Sequence, residues 1–111
     1  MEVATRKADG MVVATVKGDI DGSNAGVAQQ QILGAIADGD KVVLDLTEVP
    51  YMSSAGLRML LSTYRTVTNT GGKVVLVGVV DEIKDTMSVT GFLKFFTLTD
   101  TLDSAVTALK Q

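Results

Sequence analysis

The chain has 111 residues, 46% hydrophobic and 21% charged, with a formal net charge of −3. That is enough for one domain with a real core and too little for two, and the charge offers no footprint for nucleic acid or an anionic membrane. With no histidine and no cysteine, the chain alone supplies no Ser-His-Asp triad, cysteine nucleophile, zinc site or haem ligand set, and no metal or cofactor is expected.

The opening residues, MEVATRKADG, have no apolar stretch behind a basic start, so no secretory signal is expected. Apolar runs such as VVLVGVV fall well short of the ~20 residues of a membrane-spanning helix. The cytoplasm is the expected compartment, and the absence of cysteine suits it.

In chain order, two β-prone runs flank Asp9-Gly10, and an Asp-Gly loop predicts a type I′ hairpin because both positions need φ > 0. The turn-rich DIDGSNAG follows, with Ser23 or Asn24 placed to cap a helix carrying Ala25, Ala28, Ile32 and Ile36 at helical spacing. KVVLDL at 41–46 reads as a strand covered on both faces. A second helix puts Leu57, Leu60, Leu61, Tyr64 and Val67 on one face and stops at Thr70-Gly71-Gly72. KVVLVGVV at 73–80 predicts another buried strand. Asp81 is then placed to cap a helix bearing Ile83 and Met87, closed by Gly91. A short strand around Phe95–Leu98 precedes a last helix from about Thr101, with Leu102, Val106 and Leu109 inward. The expected architecture is a single α/β domain: an N-terminal hairpin, then alternating helices and strands forming a mostly parallel central sheet flanked by helices.

Two motifs fail. TGGKV at 70–74 has the Gly-Lys of a phosphate loop, but Val67 and Val74 stand where that loop needs Gly and Ser or Thr. DIDGSN at 19–24 begins like a calcium loop, but Asn24 and Gln30 occupy its Gly and Glu positions. Asp19 and Asp21 are therefore turn acids, or contacts for a partner. Asp45, inside an apolar strand, is expected to make structural hydrogen bonds rather than to catalyse.

VPYMSSAGLR at 49–58 joins the third strand to the second helix. Ser53 or Ser54 is placed to cap that helix, worth about 1 kcal/mol. Capping explains one serine of the pair. It leaves Ala55 and Gly56 unexplained, since small residues at a helix start allow close approach by a backbone or an anion. The joint also lies at the C-terminal edge of a parallel sheet, where such folds place their sites.

VVLDLTEVPYMSSAGLRMLLSTYRTV resembles the signature of the STAS domain, the anti-sigma factor antagonist family: a strand ending in Asp-Leu, an apolar turn with Met, then Asp-Ser-Ser/Thr-Gly-Leu opening a helix. GDID at 18–21, GGKVVLVGV and MSVTGFLKFFTLTDTLDSAV extend the resemblance over the whole chain. It departs from the pattern at Ser53, where the family has Asp, and at Ala55, where it has Ser or Thr. The resemblance implies a non-enzymatic regulator that captures an anti-sigma factor with a histidine-kinase-like ATPase fold and so releases a sigma factor. It implies phosphorylation of Ser54 (with Ser53 the lesser candidate) by that partner, and reversal by a PP2C-type phosphatase. Partner contacts are expected from Asp21, Tyr51, Met52, Ser53, Ala55, Gly56 and Arg58 of a monomer that binds no nucleic acid and does not enter the membrane. The alternative it implies is a stand-alone subunit of an ATP-binding-cassette lipid transporter, docking the ATPase through the same helix face.

Overall fold

The computed structural model describes residues 1–110. Strands β1 (Glu2–Ala8) and β2 (Met11–Lys17) form the antiparallel hairpin. Asp9 (φ 54°) and Gly10 (φ 73°) hold its two turn positions, as the sequence predicts. Helix α1 (Ala25–Gly34), strand β3 (Lys41–Glu48), helix α2 (Ser54–Asn69), strand β4 (Lys73–Val77), helix α3 (Asp81–Thr90), strand β5 (Thr97–Thr99) and helix α4 (Leu102–Leu109) follow. The strands lie in the order β1-β2-β3-β4-β5, and all pairs after the hairpin are parallel.

Because the three crossovers step the same way across the sheet, a single handedness puts their helices on one face. Alternation does the rest. Ala14, Val16, Val42, Leu44, Leu46, Val74 and Leu76 point into the larger core, where they meet Ala28 and Ile32 of α1, Leu57 and Leu60 of α2, and Met87 of α3. Val43, Val75 and Val77 point to the opposite face, where Ala105 and Leu109 of α4 cover them. β3 is thus covered on both faces, as its continuous apolar run predicts.

The departures from the sequence reading are local. β4 ends at Val77 rather than near 80, and β5 begins at Thr97 because Leu93–Phe95 form a 3-10 turn. α1 ends at Gly34, so Ile36 packs on the core from the loop. On α4, Ala105 takes the buried position and Val106 stays half-buried. Capping differs more. Asn24 stands at the N-cap of α1, but its side chain accepts from Asp21 N (3.0 Å) and donates to Asp19 O (3.0 Å), bracing the loop instead. Val80, not Asp81, is the N-cap of α3. Asp45 accepts from Thr47 N (3.0 Å) and Thr47 Oγ1 (2.7 Å), the structural role expected of it.

Asp40, 7% exposed, receives Lys7 Nζ at 2.7 Å and the Ala37 amide at 2.8 Å, tying β1 to the loop before β3. The Lys7 bond first, and the Ala37 bond second, hold its carboxyl below the ordinary 3.8. A carboxyl lowered by folding stabilises above its unfolded value, and that contribution is lost as pH falls through the folded one. The stability gap between wild type and Asp40→Asn is therefore expected to narrow as pH falls below the ordinary 3.8 in denaturant melts. A gap independent of pH would mean that the charge contributes nothing.

Candidate functional site

Three loops meet at the C-terminal edge of the parallel strands: Gly18–Asn24 after β2, Val49–Ser53 after β3 and Gly78–Val80 after β4. The first two are joined by an isolated parallel bridge between Ile20 and Met52. Ile20 N donates to Tyr51 O (3.1 Å) and Ser53 N donates to Ile20 O (2.9 Å). Ile20 is fully buried and Met52 is 7% exposed, so this small ladder is anchored in the core.

Ser53 occupies the N-cap position of α2, yet its side chain makes no cap bond. Its Oγ exposes less than 1 Å² and has no hydrogen-bond partner among the described residues. An unsatisfied buried hydroxyl costs free energy. Ser54 is the first residue of α2 and is exposed. The first turn of the helix carries no acid. Its amides therefore face outward with the positive end of the helix dipole and nothing to neutralise it.

Beside this terminus lies a cavity of about 420 Å³, lined by Tyr51, Met52, Ser53, Ser54, Leu57 and Arg58 from the joint and by Thr86, Thr90 and Phe92 from the end of α3. The sequence-predicted contacts divide accordingly. Tyr51 (55% exposed), Ser53, Ser54 and Arg58 come together at the cavity. Met52 lines it as well, though it is 7% exposed and otherwise packed in the core. Gly56 is buried against the chain itself: a Cβ there would collide with Met52 Cγ and sit 3.1 Å from Ile20 Cγ2. Its smallness serves the Ile20–Met52 bridge rather than approach by an outside group. Ala55 is half-buried, and a Cβ on Gly22 would stand 4.0 Å from its own Cβ. Asp21 lies on that side of the helix start, away from the cavity. Its Oδ1 accepts from Ser23 Oγ (2.6 Å) and Ser23 N (2.8 Å), and these two bonds, the side-chain one foremost, hold its carboxyl below the ordinary value.

Thr86, Thr90 and Phe92 were not signalled by the sequence. They follow the serines by more than thirty residues, and only the tertiary fold brings them to the cavity at the joint. The exposed polar positions of α3, one turn apart at 86 and 90, were the one available hint.

The family model of the STAS domain matches residues 2–105. The chain belongs to the STAS family. A curated relative, BtrV of Bordetella bronchiseptica, bears the name anti-sigma factor antagonist; it is 30% identical over 111 residues, covering 99% of this chain and 96% of BtrV. The crystal structure of an anti-sigma factor antagonist from Mycobacterium paratuberculosis superposes with a TM-score of 0.86 at 32% identity, covering 99% of this chain and 94% of that one. SpoIIAA, also an anti-sigma factor antagonist, has the same fold in its unphosphorylated form (TM-score 0.80, 14% identity, covering 98% and 96%). A phosphorylated form of the Bacillus protein has been solved as well (TM-score 0.71, 15% identity, covering 96% and 98%). In this STAS domain, no helix among the described residues is long and apolar enough to cross a membrane.

Proposed function

We propose that this STAS domain is an anti-sigma factor antagonist that works by partner switching at the start of α2. The observation that carries the reading is Ser54: an exposed hydroxyl on the first residue of a helix with no acid in its first turn, at the mouth of a cavity. The names of BtrV and of the mycobacterial relative support it. So does the existence of a phosphorylated SpoIIAA.

In this reading the unmodified chain docks an anti-sigma factor with a histidine-kinase-like ATPase fold. Tyr51, Ser53, Ser54 and Arg58 are the contacts around the cavity, and Asp21 with Ala55 forms the flank. The docked partner phosphorylates Ser54: Oγ attacks the γ-phosphorus of its bound ATP, the Oγ–P bond forms as the bond to the ADP oxygen breaks, and ADP leaves. The hydroxyl proton passes to a base of the partner. A PP2C-type phosphatase restores the serine by directing water at the same phosphorus. The domain itself is a monomeric regulator of the cytoplasm and catalyses no step.

The test is peptide-level mass spectrometry after incubation with ATP and histidine-kinase-like ATPases of the source organism. One phosphate on Ser54, absent in Ser54→Ala, is expected. Phosphate on Ser53 would move the acceptor by one residue, and no phosphate from any such ATPase would sink the reading.

A further inference from the structure

Arg58 stands four residues after Ser54, one turn along α2, and both side chains border the same cavity. Arg58 is exposed and, among the described residues, makes no ion pair or hydrogen bond. An anion at position i and a cation at i+4 are neighbours on a helix surface, in the favourable order for an ion pair. A guanidinium in turn matches a phosphate through two parallel N–H···O bonds. Ser53 supplies the second observation: the residue lines that cavity beside Ser54, and its hydroxyl oxygen is buried and has no partner among the described residues.

We propose that Arg58 is the internal counter-ion of a phosphate carried by Ser54, with Ser53 Oγ and the free first-turn amides as its further donors. This rests on the reading of Ser54 as the phosphoacceptor. Phosphorylation then does two things at once: it places charge on the docking surface, and it folds Arg58 onto that charge so that a partner can no longer pair with it. The modified state is held by the chain alone.

The test needs no kinase. Phosphoserine is installed at position 54 during translation by codon reassignment, in wild type, Arg58→Gln and Arg58→Lys, and the phosphate is titrated by phosphorus NMR. A neighbouring cation favours the dianion, so the second ionisation is expected about half a pH unit lower with Arg58 than with Gln, a threefold change in proton affinity, and Lys is expected to recover part of it. The melting temperature is expected to rise on phosphorylation in wild type and to rise less in Arg58→Gln. Coincident titration curves for wild type and Arg58→Gln would overturn the pairing. The two readings fail separately. A shifted titration with no ATPase able to modify Ser54 would remove the proposed function and leave the pairing. Coincident curves alongside specific modification of Ser54 would do the reverse.

Discussion

Phosphorylation of Ser54, or the substitution Ser54→Asp, is expected to weaken binding of the anti-sigma partner by about 100-fold or more, while Ser54→Ala binds as the wild type does. A phosphate adds about −1.5 to −2 of charge. Within the free chain that charge is tolerated, since the start of α2 presents unneutralised amides and no acid. In a docked interface it must be stripped of water. A buried charge left without its pair costs about 2–5 kcal/mol, and each 1.4 kcal/mol is tenfold in affinity. Calorimetric titration of the partner with the three proteins measures the difference. Thermal melts of the free variants separate it from unfolding, because the exposed Ser54 leaves the core untouched. Tight binding by the phosphorylated chain would remove the switch from this surface.

The largest effect on stability is expected from Gly78→Ala, a loss of about 3–5 kcal/mol. Gly78 leaves β4 with φ 69°, a left-handed conformation that costs an alanine about 1–2 kcal/mol. The rest is steric. A Cβ at this position would overlap Thr47 Oγ1 and approach Thr47 Cβ to 2.9 Å and its Cα to 3.0 Å. The hydroxyl cannot swing away freely, since Asp45 Oδ1 accepts from it at 2.7 Å. The glycine cannot retreat either, because its amide donates to Thr99 O at 3.0 Å. β3, β4 and β5 are thus fastened together at the edge that carries the site. Gly91→Ala, with φ 80° and nothing within 4 Å of the added carbon, gives the backbone cost alone. Denaturant melts showing equal losses for the two variants would mean that the Thr47 contact yields easily.

The framework of the domain is legible in the sequence because it rests on short-range signals. Asp9-Gly10 dictates its own turn, the apolar runs within 41–46 and 73–80 call for burial, although the second strand stops short at Val77, and the spacing of Leu57, Leu60 and Val67 leaves one face for the core. Ser54 and Arg58 reach the site for the same reason, being fixed by where α2 begins. What stays hidden depends on tertiary placement. Ser53 has the residue type of a cap and stands at the cap position, yet it makes no cap bond. Gly56 resembles an opening for a ligand and is filled by Met52 and Ile20, which only the meeting of two loops supplies. Thr86, Thr90 and Phe92 complete the cavity from an element whose own pattern shows nothing but a helix and its end.

The bridge between Ile20 and Met52 makes the loops after β2 and β3 a single latch. Neither loop can lift while the other stays, because the amides of Ile20 and Ser53 are each held by the opposite strand's carbonyl. Local opening of such a unit is cooperative. The serine joint is thereby tied to the acid-rich turn at Asp19–Asp21 through the backbone. A partner that grips both loops meets one rigid ledge and orders nothing on arrival, so its conformational cost of binding falls on its own side of the interface.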